Sequence, residues 1–370
     1  MATEPIEPVS IAMPENIMGE ILEKCDSLSM QTQKKTGQIP PELISMPEDV
    51  MILILEKCDF VSIQRLRSTC RIFQEFIDRK KPKSHLKVID INGSLQAMYL
   101  SFSEEDAWQP LYPDGQNIEL KYQKIDEKNT EIHWFRRDKE CIKTIENSNF
   151  MDVCCRDLEP LLERNSTNFD LLGINSTHEG YVNIQKVLES CVKSPLKVHA
   201  LTIGYPTCQE DVVEILRYIC PDTFERLEIQ CHSDCWDISK IVELDHWKNA
   251  KNFHIRGMSF RAFRLQNFMH FERADFTLEE GTAEDVIRVK ENFLNSPPTS
   301  KLLRIYFDRF NDKDRLVELF GQPYQLDYRS FEWFFRRPDN YALFLKYRGS
   351  SLECKILKLA DIPEDARVIS

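Results

Sequence analysis

Met46-Pro47-Glu48-Asp49-Val50-Met51-Ile52-Leu53-Ile54-Leu55-Glu56-Lys57-Cys58-Asp59 opens the most informative part of the chain. Pro47 stands where a first-turn proline is tolerated, and Glu48 and Asp49 suit the positive end of a helix. Val50, Ile54 and Cys58 share one face at i, i+4 and i+8, while Met51, Ile52, Leu53 and Leu55 make the remaining sides apolar as well. A helix apolar on most sides has to be buried on most sides. Ser62 starts a second short helix with Ile63 and Leu66, and a third runs from about Cys70 with Phe73, Phe76 and Ile77 on one side until Pro82 stops it. Three short helices in about 35 residues cannot cover that much apolar surface alone, so they require a partner.

The same phrase stands earlier as Met13-Pro14-Glu15-Asn16-Ile17-Met18-Gly19-Glu20-Ile21-Leu22-Glu23-Lys24-Cys25-Asp26, 33 residues upstream and identical at ten of fourteen positions. Two copies do not make a repeat array. The earlier copy continues to Ser29 and Gln31 and then meets Gln33-Lys34-Lys35-Thr36-Gly37, with no Cys-Arg-x-Phe helix after it. It reads as a truncated duplication inside an N-terminal segment, residues 1–45.

A chain of 370 residues has room for two or three folding units. Its 42% hydrophobic and 29% charged residues suit a packed core, and 11 glycines argue against long flexible linkers. The 12 cysteines form no framework, which predicts reduced thiols in a cytoplasmic or nuclear setting. No run approaches the roughly 18 apolar residues of a membrane span, and the first ten residues lack the pattern of a signal peptide. The net charge of −12 argues against a phosphate-binding surface, so neither nucleic acid nor membrane is an expected partner.

From Leu86 the period switches. Segments 86–92, 97–102, 118–124 and 131–137 are short and rich in β-branched or aromatic residues, separated by Asn92-Gly93, Pro113-Asp114-Gly115 and Asp126-Glu127-Lys128-Asn129. They predict an antiparallel meander over residues 83–140, followed by a helix at 150–164. Further strands begin near Phe169, Val198, Phe224, Asn252, Ala274 and Leu302, with helices at 182–193, 210–219, 238–249 and 283–293. Thr282 and Asp285 have capping-box spacing, and Val286, Val289 and Phe293 share a face. This alternation predicts a mostly parallel sheet of leucine-rich-like βα repeats, curved into an arc or closed on itself. A β-rich tail at 328–337, 342–347 and 354–359 turns at Arg348-Gly349-Ser350-Ser351. The expected fold is mixed, α+β and α/β, with a helical module at 46–82, the meander at 83–140 and the repeat domain at 141–370.

Met46-Pro47-Glu48-Asp49-Val50, Ile54-Leu55-Glu56, Asp59, Ile63, Leu66-Arg67, Cys70-Arg71 and Phe73 together resemble the F-box motif, which opens Leu-Pro-x-Glu and closes Val-Cys-(Arg/Lys)-x-Trp. The departures are Met46, Cys58, Thr69 and Phe73, the last of which keeps an aromatic ring. The resemblance implies a three-helix module that docks on the Skp-type linker subunit of a cullin–RING ubiquitin ligase through Pro47, Ile54, Leu55, Leu66, Cys70 and Phe73. The alternative is a helical cap that packs only on the rest of this chain. The phrases at 145–153, at Ile241-Val242-Glu243-Leu244-Asp245-His246-Trp247-Lys248-Asn249-Ala250-Lys251, and at Phe271-Glu272-Arg273-Ala274-Asp275-Phe276 with Ala283-Glu284-Asp285-Val286 resemble the FTH-type domain. That domain accompanies F-boxes in a large, nematode-expanded family. There it is regarded as the half that recruits a protein target, which implies a substrate receptor of an SCF-type ligase whose target goes unnamed.

Catalytic signatures are missing: no Gly-x-Ser-x-Gly, Gly-x-x-x-x-Gly-Lys-Ser/Thr, Gly-x-Gly-x-x-Gly or His-Glu-x-x-His occurs. Cys231-His232 with Cys235 supplies one short-spaced pair and no second, which does not complete a zinc site. Cys154 and Cys155 in a helical context read as core residues. No enzyme, metal or cofactor is expected. Trp134, Trp333 and Arg336 belong to aromatic–arginine segments of the kind enriched at interface hot spots, and are candidate target contacts. The competing function is a non-catalytic interaction scaffold that recruits no ligase, which Met46, Cys58 and Thr69 favour.

Overall fold

The computed structural model describes residues 46–58, 62–63, 66–67, 71–80, 82, 86–104, 118–136, 139–164, 169–176, 178–231, 238–260, 265–295, 301–324 and 330–369. The early copy at 13–31, Cys70, and the stretch from His232 to Asp237 lie outside the described residues. The chain divides into two compact units, Met1–His85 and Leu86–Ser370.

In the first unit, α1 (Glu48–Leu55) starts behind an extended Pro47, whose carbonyl accepts from the Val50 and Met51 amides at 3.1 Å. Ser62, Ile63, Leu66 and Arg67 have helical geometry, and α2 spans Arg71–Lys80. The amphipathic spacing is spent on one cluster: Met51, Ile54, Leu55, Cys58, Ile63, Leu66, Phe73, Phe76 and Ile77 are all buried together. Arg79 and Lys80 at the end of α2 reach Glu48 at the start of α1, at 2.5 and 2.6 Å. Lys80 first, and Arg79 beside it, hold the Glu48 carboxyl below its ordinary pKa. Arg67 grips Asp78 with two bonds, at 2.9 and 3.1 Å.

The second unit is built on one 15-stranded sheet. The meander comprises β1 (Val88–Gly93), β2 (Ala97–Ser103), β3 (Ile118–Lys124), β4 (Thr130–Arg136) and β5 (Lys139–Ile145). Then come α3 (Phe150–Arg164), β6 (Phe169–Ser176), α4 (His178–Cys191), β7 (Val198–Gly204), α5 (Gln209–Leu216), β8 (Arg226–Gln230), α6 (Asp245–Asn249), β9 (Asn252–Phe260), β10 (Arg273–Gly281), α7 (Ala283–Asn295), β11 (Leu302–Phe310) and α8 (Lys313–Phe320). The tail holds β12 (Ser330–Arg336), β13 (Tyr341–Arg348), β14 (Ser351–Lys358) and β15 (Val368–Ile369). The order is β15-β12-β13-β14-β11-β10-β9-β8-β7-β6-β1-β2-β3-β4-β5, so the sheet is open rather than closed on itself. Strands β6 to β11 run parallel, β1 joins them parallel to β6, and antiparallel hairpins extend both sides.

Following the register across eleven strands gives two adjacent rows. One is Phe102, Ile89, Leu172, Leu201, Leu227, Phe253, Ala274, Leu303, Cys354, Leu345 and Trp333, all of them buried. The next residue along each strand points to the other face: Ser101, Asp90, Gly173, Thr202, Glu228, His254, Asp275, Arg304, Glu353, Lys346 and Glu332. Along these rows strand alternation sets an apolar face against a polar one, although Phe334, Ala342 and Phe344 carry buried apolar groups onto the polar side near β12 and β13. Helix contacts fall on the apolar one. Tyr122 donates to Asp157 of α3 at 3.1 Å, Trp247 of α6 packs on Phe253 at 4.8 Å, and Phe320 of α8 meets Trp333 at 5.6 Å.

Four elements differ from the sequence reading. The 238–249 helix is a set of turns, with the helix proper confined to Asp245–Asn249, because Leu244 is extended (φ −72°, ψ 146°). That break lets Trp247 enter the cluster of Phe253, Phe268 and Phe271 while His246 turns to the Ile219 carbonyl at 2.8 Å. Strands β5 and β15 and helix α8 are additional to those expected. The Thr282 and Asp285 pairing is realised in both directions: the Thr282 hydroxyl donates to the Asp285 carboxylate at 2.8 Å and accepts from the Asp285 amide at 3.2 Å.

Candidate functional site

Two surfaces are candidates, one on each unit. On the helical unit, the apolar surplus of α1 and α2 is not fully used by their mutual packing. Leu53 is 59% exposed and Ile72 53%, while Met46, Val50 and Ile52 are only partly covered. Of the residues expected to meet a linker subunit, Ile54, Leu55, Leu66 and Phe73 all lie inside the helical core, at 5% exposure or less. Pro47 is exposed at the start of α1. Ile54, Leu55, Leu66 and Phe73 belong to the core, and Leu53 on α1 and Ile72 on α2 are the large apolar side chains left exposed outside it among the described residues of this unit. A sharper helical wheel would have found Leu53, since it stands away from the face of Val50, Ile54 and Cys58.

On the second unit, the polar sheet face carries a lattice of ion pairs. Arg226 meets Glu228 at 2.9 Å, Arg304 meets Glu353 at 3.2 Å, Lys355 shares Glu353 at 3.4 Å, and Lys346 meets Glu332 at 2.7 Å. Between them His254 faces Asp275 at 3.6 Å. Opposite charges alternate, so the face offers directional hydrogen-bonding groups rather than a single sign of potential. Two tyrosines interrupt it: Tyr306 on β11, 42% exposed, and Tyr99 on β2, 40% exposed and under the Lys121 ammonium. Tyrosine and arginine side by side on a rigid sheet are the residue types that anchor protein interfaces.

The three expected target contacts do not converge. Trp134 pairs across the sheet with Leu120 and Cys141, on the side that carries the helices, and its indole N–H has no partner among the described residues. Trp333 is core: it is 2% exposed, and its N–H donates to the Gly321 carbonyl at 3.0 Å. Its place in the β12 alternation explains this, since Phe331, Trp333 and Phe335 pack toward α8. Arg336 is exposed and lies on the polar face of the same strand. The polar row across the sheet was not anticipated, because it depends on strand register, which no single segment encodes.

Reactive chemistry is sparse. Among the described residues no group of three or more His, Cys, Asp or Glu side chains is placed to hold a metal ion. Cys231 is buried, and burial pushes its thiol up to about 12. His246 is lowered by burial, with its ring N–H committed to Ile219. No helix among the described residues is long and apolar enough to cross a membrane.

Two family models match the chain, one in each unit. Residues 43–85 match the family model of the F-box domain, and residues 179–323 match that of the FTH domain. The second match runs from α4 through α8 and contains the parallel strands β7 to β11. No curated protein matches the chain.

Proposed function

From the premise of a chain that carries an F-box domain followed by an FTH domain, we propose that it is a substrate-recognition adaptor of a cullin–RING ubiquitin ligase. F-box and FTH domains are typical of non-enzymatic adaptors. In this reading the helical unit is a three-helix F-box, with Ser62 to Arg67 as its middle helix, and it docks on a Skp-type linker. The parallel strands with their helices act as leucine-rich-like βα repeats that hold the polar face rigid for a protein target. The adaptor works by proximity: a bound target lysine is kept near a ubiquitin conjugate at high effective concentration, and bond chemistry belongs to other subunits.

The observation that carries the linker half is the pair of exposed apolar residues, Leu53 and Ile72, inside the span that matches the F-box. Two of the departures from the motif do not count against it. Cys58 is 2% exposed within the helical core and Met46 packs against that core, so neither thins the outer surface. The test is capture of a purified Skp-type linker by the full chain and by the Leu53→Asp/Ile72→Asp double variant. Wild type captures the linker, and the double variant loses it while keeping its circular dichroism and Tm. Failure of a well-folded wild type to capture the linker would replace the adaptor with the scaffold reading.

A further inference from the structure

Two thiols on facing helices play no part in the adaptor reading. Cys155 lies on α3 and Cys191 is the last residue of α4, and these two helices pack together. The Cys191 S–H donates to the Cys155 carbonyl oxygen, with the sulfur 3.6 Å away, so the two residues meet across the helix pair. Cys155 is half-buried and reachable by a small solute, whereas Cys191 is 1% exposed behind it. The neighbouring Cys154 is fully buried, and burial pushes its thiol up. Cys155 goes the other way. The polar surroundings supplied by Cys191, and less so by Ser190, hold its thiol below the ordinary value despite partial burial. A half-exposed thiol on one helix, with a buried second thiol held against its backbone from the facing helix, is the arrangement of an attacking and a resolving cysteine.

We propose that Cys155 and Cys191 form a modification site, a dithiol that hydroperoxides close to a reversible intrachain disulfide tying α3 to α4. The Cys155 thiolate attacks one oxygen of hydrogen peroxide; the O–O bond breaks, an S–O bond forms, and the departing oxygen takes up a proton and leaves as water. The Cys191 sulfur then attacks the Cys155 sulfenic sulfur. An S–S bond forms, the S–O bond breaks, and the Cys191 proton goes with the leaving hydroxyl as a second water. Two thiols give up two electrons and two protons, and the peroxide accepts them. A dithiol reductant reverses the step by exchange.

The experiment uses the full chain, reduced, freed of reductant and exposed to hydrogen peroxide at neutral pH. Remaining thiols are capped with N-ethylmaleimide, and the protein is digested without reduction for mass spectrometry. The expected product is the peptide containing Cys155 joined to the peptide containing Cys191, lighter by two hydrogens than their sum and released by dithiothreitol. Cys154→Ser retains that product. Cys191→Ser loses it and leaves Cys155 to proceed to sulfinic acid. The proposal is overturned if Cys155 and Cys191 are both recovered capped while the exposed Cys141 is oxidised. It is equally overturned if Cys155 is found joined to Cys154.

Discussion

Asp90 on β1 shows how one residue on the polar face is shaped by its neighbour. Its side chain lies across Gly173 of β6, and a Cβ at that glycine would overlap the carboxyl; Asn175 lies over Gly204 of β7 in the same manner. The close approach removes water, and burial alone pushes the Asp90 carboxyl up to about 6. An unfolded aspartate titrates near about 3.9. Between those values the folded chain holds the proton that the unfolded chain releases, so stability falls as pH rises through about 4 to 6 and stays reduced above it. Asp90→Asn removes the penalty while keeping a shape that Asn175 already shows can lie over a glycine. The variant is expected to be more stable than wild type at pH 7, by up to about 2–3 kcal/mol, and to match it more closely at pH 4. Urea midpoints measured from pH 4 to 8 check this. Parallel curves for the two proteins would mean that the carboxyl is not desolvated.

At the scale of the element, α1 sets two neighbours in opposite roles. Leu55 is 1% exposed in the helical core and Leu53 is 59% exposed, although only Ile54 separates them. A charge at Leu55 must either be buried unpaired or break the helix from its core, and Leu→Ala alone at such a site costs about 2–5 kcal/mol. A unit this small has little stability to lose. Leu55→Asp is therefore expected to abolish amide protection across residues 46–80, whereas Leu53→Asp leaves it intact, as hydrogen exchange by mass spectrometry will show. Loss of protection in both would mean that Leu53 packs internally. Elements of this kind were largely legible in the sequence. The periodicity of α3, the starts of β6, β7, β9 and β11, and the capping pair of α7 each follow from local pattern. The misses have physical reasons as well. Strand β5 carries Lys139, Glu140 and Lys143 on a sheet edge, where polar side chains blur the alternation. Helix α6 was overextended because the burial of Trp247 and His246 is decided by distant partners, Phe268 and Ile219, rather than by the segment itself.

Across the whole second unit, the two rows have a consequence that no strand carries alone. A one-residue step on each of eleven strands separates a continuous apolar row from one that is polar at every position but Gly173, and the helices pack on the apolar side. Residue type within a segment marks the tryptophans as contacts, but register puts Trp134 and Trp333 on the helix side. What the polar face does with its charges is testable because most of them are replaceable. Arg304 is exposed, and its partner Glu353 also has Lys355, so losing Arg304 costs no more than the roughly 0–1 kcal/mol of a surface pair. Tyr306, two residues on, shares its face. Arg304→Glu/Tyr306→Ala in the full chain is expected to keep the wild-type Tm within a few degrees and to keep linker capture, because the helical unit is untouched. It is expected to lose proteins that co-purify with wild type and accumulate when the proteasome is inhibited. Arg217→Glu, exposed just after α5, is the control and should retain them. If the control loses those proteins while the sheet variant keeps them, the target surface lies on the helix side. The polar row would then serve to keep an open sheet face hydrated rather than to recruit.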